Sequence, residues 1–413
     1  MTRALLPISP VCLLLFMWVV TIFFGTLPFA FPETFRLALY FLARQGMTPD
    51  DFTVMGAAWL LVALSVFVVS SVAIAVALPT PGPFDTSIDF NKAAQITFSL
   101  NLLFLVVTFL WVFASAAKMG GFRAMIILVQ LDALEAREAL LDNKLFTGMR
   151  VIYASLPATG AMAAAILAAG RKTGLLAPVE RRMATLTFTM NLIVLLLLPI
   201  VMSQRLLLLQ LIMAAYFSVC MVHRKLVGRK YIPIGLGLFM MTWIGRESLT
   251  NATIEASGIE VGIQKLFFYF TNDLLNSFMP INEQFDHTLG YFSFKFITYF
   301  TQTEGILRDV LAERLEAMGK IRGGGSWSIL TMPYVDFGAV GASIYIAALA
   351  ALSIVVFHKG TENVIWAAIY GQFAGAYVLC THAMYFSHTN FFAMMVICSL
   401  IGKYAGRRSP QVG

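Results

Sequence analysis

The sequence predicts an all-α polytopic membrane protein, with about ten transmembrane helices and one large polar loop in a single integral membrane domain over residues 1–413. Three observations carry that class. The chain is 59% hydrophobic and only 12% charged, with a mean hydropathy of +0.79. A soluble domain carries about 25% charged residues, so this chain cannot cover a globular surface with polar groups. Apolar runs of about 18 residues or more recur, each able to cross about 30 Å of hydrocarbon as a helix. The ten-residue alternation of a β-barrel is absent from the sequence. The formal charge of +7 then reads as basic loops facing the cytoplasm, with no nucleic-acid partner implied.

Taken in order, the expected spans are 9–30, 55–78, 96–117, 151–169, 184–202, 206–222, 231–245, 335–357, 363–384 and 389–404. The first is longer than the 7–15-residue core of a signal peptide, so it is read as an uncleaved helix. The second ends at the turn-rich run Pro79 to Pro83. Between spans three and four lies a loop over 118–150, whose 128–145 stretch has the apolar spacing of an amphipathic interfacial helix. Spans five and six are separated only by Ser203-Gln204-Arg205, and span seven is short and holds three glycines. The 246–334 segment reads as one large loop with ten acidic and seven basic residues, rich in Phe and Tyr. Cys12, Cys220, Cys380 and Cys398 all fall in apolar runs without a CxxC pair, the pattern of buried thiols.

Charge sets the expected orientation. The loops before spans five and seven (+3 and +4) and the C-terminal tail (+3) fall on one side if both termini are cytoplasmic. The 246–334 loop, at −3, and the 203–205 turn then face the periplasm. The 118–150 loop, at +1, is a mild exception.

Within this frame, a few polar residues are candidates for chemistry. Arg205 sits between two Leu-rich runs, costly at any membrane depth, and its fork of donors suits an anionic diphosphate as well as it suits an interfacial anchor. Arg246, at the start of the loop, carries the same two readings. His287, with Glu283 and Asp286 nearby in sequence, is a candidate general base, although a solvated loop histidine is the commoner case. The glycine run after Arg322 can offer free N–H groups to phosphate but lacks the lysine of a P-loop. Asp336 favours the start of a helix dipole. His382 and His388 are six apart with no carboxylate between them, a weak metal pattern. The loop aromatics, Phe267 to Phe270, Tyr291, Phe292, Phe294, Tyr299 and Phe300, suit a membrane-interface belt or stacking on sugar rings.

Three motifs carry a resemblance. The segment SWSILTMPYVDFGAVGASIY over 326–345 is similar to the Y-x-D-F-G-x-x-G lead-in to a helix of the bacterial oligosaccharide repeat-unit polymerases, the O-antigen polymerases. GYFSF, Gly290 to Phe294, resembles their G-x-x-T-F element, with Ser293 where Thr is common. MSQRLLLL resembles their S-R-x-x-L-L turn, with Gln204 inserted. Arg137–Gly148 and Arg308–Gly319 fit the Arg-x10-Gly pattern of some members, a spacing that also occurs at Arg314–Gly325 and Arg224–Gly235. The motifs cover about 200–345 and the helix arrangement the whole chain.

The resemblance implies a GT-C-like, metal-independent glycosyl transfer at the periplasmic face of the bacterial inner membrane, without a cofactor. An undecaprenyl-pyrophosphate-linked oligosaccharide is both donor and acceptor, and the product is a surface polysaccharide (O-antigen, capsule or exopolysaccharide). Further partners implied are the lipid bilayer and a chain-length regulator protein. Arg205, Arg246, Arg308 and Arg322 are the leaving-group candidates, and His287, Glu283 or Asp286 the base candidates. Tyr291, Phe292 and Asp336 complete the substrate-binding set. Rival readings are an O-antigen ligase and, in a different class, a lipid or polysaccharide flippase, which would want charges within spans and repeated halves. A membrane acyltransferase is a further rival, with His382 as its base; few polar residues accompany that histidine in the sequence.

Overall fold

A computed structural model describes residues 3–131, 133–143, 146, 148–202, 206–250, 256–283, 285–319 and 327–406. Over these residues the chain is all-helical, with no β-strand. In order the helices are α1 (Pro10–Ala30), α2 (Arg36–Arg44), α3 (Val54–Ala77), α4 (Phe90–Lys118), α5 (Phe122–Leu131), α6 (Ala133–Asp142), α7 (Met149–Ala154), α8 (Leu156–Thr173) and α9 (Pro178–Met202). There follow α10 (Leu206–His223), α11 (Ile232–Thr250), α12 (Gly258–Asn282), α13 (Lys295–Phe300), α14 (Glu304–Val310), α15 (Ala312–Gly319), α16 (Met332–Gly360), α17 (Val364–Val378) and α18 (Thr389–Ala405).

Among the described residues, seven stretches are long and apolar enough to cross a membrane: α1, α3, α4, α7 with α8, the 178–198 part of α9, α10 and α16. Their outward faces are bare hydrocarbon, as at Phe16, Val19, Leu61, Val69, Val76, Leu103 and Phe113. Exposed apolar side chains in such continuous stripes have lipid as their natural solvent. The chain is a multi-pass, membrane-embedded protein. The three remaining expected spans are α11, α17 and α18, which fall outside the seven.

Side-chain caps start several helices. Thr53 accepts from the Gly56 N–H, Asp89 from those of Asn91 and Lys92, and Asn363 from those of Ile365 and Trp366, each satisfying donors that helix starts leave open. The buried centre is α8, whose run of alanines and glycines lets neighbours approach closely. A Cβ on Gly160 would lie 2.3 Å from Leu211 of α10. The α10–α17 contact is equally tight, since a Cβ on Gly371 would lie 2.1 Å from the Ser218 hydroxyl.

The 246–334 segment differs from its expectation as one polar loop. Two helices enter it: α11 runs on to Thr250, and α12 is 25 residues long. α12 packs along α1 and against α3, seated by glycines at both contacts. A Cβ on Gly25 would come 2.9 Å from the Phe270 carbonyl oxygen, and one on Gly56 would come 2.6 Å from Phe278. Its polar residues Thr271, Asn272, Asp273, Asn276 and Ser277 are all buried. Glu260, Lys265 and Asp273 interrupt the apolar pattern that marks the other long helices, which is why composition hid this one.

The helix ends sort by charge. Arg171, Lys172, Arg181, Arg182, Arg224, Lys225, Arg229 and Lys230 gather where α8 and α10 end and α9 and α11 begin. Cross-links tie that end together: Arg224 donates to the Thr361 carbonyl, Lys172 to that of Val222, and the Asp85 N–H to Glu362. The opposite end holds α2, α5, α6 and α13 to α15, together with the return between α17 and α18.

Candidate functional site

α17 is the short member of the bundle. Fifteen residues rise about 22 Å, against roughly 30 Å of hydrocarbon. Its return, 379–388, is therefore irregular backbone set within the bundle, and such backbone is tolerated at that depth only where it is buried or lines a cavity. Here it lines one. A cavity of about 1600 Å³ runs along α10 from Leu206 to the Val227–Tyr231 turn, walled by α1, α11 and α12. Its shaft is apolar, with Leu13, Met17, Leu209, Met213, Phe239 and Leu266 among the lining.

Its head, at the α17 return, is polar. His382 Nδ1 stands 3.0 and 3.1 Å from the two oxygens of Asp273. Asp273 is 5% exposed on α12, while the His382 ring keeps more of its surface open to the cavity. A carboxylate on Nδ1 fixes the ring and its tautomer, so Nδ1–H donates and Nε2 holds the basic lone pair. The Tyr269 ring meets His382 edge-on at 5.8 Å, and Thr21 donates to Thr381 at 2.9 Å, pinning the return to α1. Tyr385, Gln210, Arg150, His388 and Asn390 complete the head. Burial and, after it, the Asp273 charge push the Tyr385 phenol well above its usual range, so it stands protonated as a donor. Burial, with Lys295 and Arg150 adding to it, pushes His388 down to about 4, so it is neutral at physiological pH.

The arrangement offers a base oriented by a carboxylate, a protonated phenol and a cation, at the top of a hydrocarbon-lined slot. That set can take a proton from a hydroxyl and stabilise negative charge as it develops.

Of the residues singled out from sequence, His382, His388, Tyr269 and Phe270 line the cavity, and the expected base and leaving-group residues that the structure describes do not. None of His287, Glu283, Asp286, Arg246, Arg308, Tyr291, Phe292 or Asp336 lines the cavity. Arg205 and Arg322 fall outside the described residues. Arg246 lies within α11, one turn beyond Trp243, which does line it.

Asp336 is fully buried and already employed. Its carboxylate accepts from the Thr288 hydroxyl at 2.5 Å and from the backbone N–H groups of Ser293 and Phe292 at 2.6 and 3.2 Å. That corrects its expected role: it anchors the 287–293 turn and has no face left for a substrate. Gly338 (φ +67°) breaks α16 just beyond it, freeing carbonyls that the turn uses. Leu289 N–H donates to Asp336 O at 2.9 Å, and His287 Nδ1 lies 3.3 Å from Val335 O. A Cβ at position 338 would lie 2.6 Å from His287 Nε2, so glycine is required there for space as well as for φ. The two motifs GYFSF and YVDFG are thus two halves of one structural joint.

His287 is half-buried in that joint, and Arg314 donates to its carbonyl at 2.6 Å. Glu283 and Asp286 are exposed beside it. Arg308 is solvent-exposed, held by Tyr291 and, at 3.5 Å, by Glu304. The aromatics mostly pack on one another. Phe292 meets Trp327, Phe296 stacks on Phe392, and Phe267 and Phe268 meet Phe35 and Phe41.

Sequence reasoning missed Asp273, Tyr385, Gln210 and Arg150. The signal for Asp273 was an acid inside FFYFTNDLLNSF, flanked by apolar residues on both sides. Comparison with family models, curated proteins and solved structures finds no match to this chain.

Proposed function

We propose that this protein is a membrane glycosyltransferase that joins lipid-linked oligosaccharide repeat units into a surface polysaccharide, with His382 as its base and Asp273 as the residue that orients it. The supporting observation is the slot along α10: hydrocarbon-lined for a lipid chain, with an acid–base pair at its head. In this reading a polyprenyl chain lies in the shaft and its diphosphate-linked sugar at the head. The acceptor hydroxyl gives its proton to His382 Nε2 as its oxygen bonds to the anomeric carbon. The bond from that carbon to the diphosphate oxygen breaks, and the diphosphate leaves with the electron pair. Arg150 is the cation at the head that would meet it. Arg205, which precedes Leu206 of the cavity wall in sequence, is the second leaving-group candidate. In this reading the basic helix ends face the cytoplasm, with both termini on that side and the polar head toward the periplasm. The motif resemblance supplies the choice of glycan chemistry.

The test is deletion of the gene read by surface-glycan electrophoresis. A lost ladder with a single capped repeat unit retained supports the polymerase. Loss of every repeat unit points instead to a ligase or flippase, and an unchanged glycan removes all three. A second reading, membrane acyl transfer, is favoured by one observation: the polar partners that His382 lacked in sequence surround it in the fold. Proteoliposomes given an acyl donor and a glycan acceptor separate the two, because only that reading yields an ester product.

A further inference from the structure

The cavity has a second pole. About 27 Å from its head along the 18 residues of α10, it is lined by Arg171, His223 and Arg229, with Gly228 and Tyr231 beside them. Asp273, at the far end, is the one carboxylate among the lining residues. The lower pole is therefore cationic, with no acid in its wall among the described residues. Its two arginines differ from the basic residues next to them. Lys172 is spent on the Val222 carbonyl and Arg224 on those of Thr361 and Gly82. Arg171 and Arg229 make no such bond among the described residues, and both are exposed. Between the poles the wall is hydrocarbon apart from the Tyr216 phenol. A ligand that fits the lower half carries a negative headgroup and apolar tails that turn up into the shaft.

We infer that the lower pole is a binding site for an anionic glycerophospholipid from the leaflet at the basic end, its phosphate between Arg171 and Arg229 and its acyl chains in the lower half of the shaft, below the half next to the head that the polyprenyl chain takes. This assignment rests on charge complementarity and the continuity of the slot, and is independent of the reaction at the head. A phosphate gains paired donors from two guanidinium groups there. A zwitterionic lipid brings its own cation into an already cationic pole and binds more weakly.

The test uses the full-length protein in detergent, titrated with phosphatidylglycerol or phosphatidylcholine and read by native mass spectrometry and by the shift in melting temperature. Wild type is expected to bind phosphatidylglycerol preferentially and to be stabilised by it, less so at high salt. Arg171→Gln with Arg229→Gln is expected to weaken phosphatidylglycerol binding about tenfold or more, at roughly fivefold per cation lost, with phosphatidylcholine binding unchanged. Arg171→Lys with Arg229→Lys restores most of the preference. Equal binding of both lipids by wild type, or a preference that survives the double Gln variant, overturns the assignment. So does protection by a polyprenyl diphosphate alone, which would give this pole to the substrate.

Discussion

Two regions of this molecule each set a histidine beside a buried aspartate, and they do different things. In the joint between the 287–293 turn and α16, Asp336 accepts two backbone N–H groups and a hydroxyl. His287 is wedged on Gly338 with Nδ1 at a backbone carbonyl. In the cavity head, Asp273 faces the imidazole of His382 itself, and the ring looks into a 1600 Å³ slot. The first carboxylate is saturated by the chain and so holds it in shape. The second is aimed at one imidazole and so orients it. Residue type does not separate the two; what donates the hydrogen bonds does.

The comparison yields predictions in order of size. Asp273→Asn leaves the His382 ring in place but no longer enforces the useful tautomer, so turnover falls about 10²–10⁴-fold with little change in melting temperature. Asp336→Ala does the reverse. It strands two buried N–H groups and a hydroxyl, costing about 3 kcal/mol of stability, visible as lost folded protein on size-exclusion chromatography. Activity per folded molecule stays near wild type. If Asp336→Ala instead abolishes turnover in well-folded protein, the distinction between the two regions fails. Tyr385→Phe keeps the ring packing and removes one donor near Asp273, for about a tenfold loss of turnover. The smallest effect concerns His388. Its folded pKa of about 4 lies below the ordinary 6.5, so below pH 6.5 the unfolded chain takes up the proton first. Stability therefore falls as pH drops from about 6.5 to 4. His388→Asn should flatten that part of the melting-temperature profile.

The helical membrane class was legible because hydropathy writes it residue by residue, and the helix ends mostly fall within a few residues of expectation. α12 was not, because its polar residues face neighbouring helices, where burial is a property of packing rather than of composition. The GYFSF and YVDFG motifs were legible as motifs, but not their role: only the fold shows that the Asp336 carboxylate is filled by the turn it holds. His382 was visible as a lone histidine. Its partner lies 109 residues away, and no local spacing rule reaches that far.

The central claim is that chemistry belongs to the cavity head and not to the joint. It is tested most directly by turnover of purified His382→Ala and His287→Ala in proteoliposomes supplied with a lipid-linked oligosaccharide, each normalised to folded protein. The account predicts that His382→Ala loses about a hundredfold or more at an unchanged melting temperature, while His287→Ala stays within about tenfold of wild type. An active His382→Ala beside a dead but folded His287→Ala would contradict it.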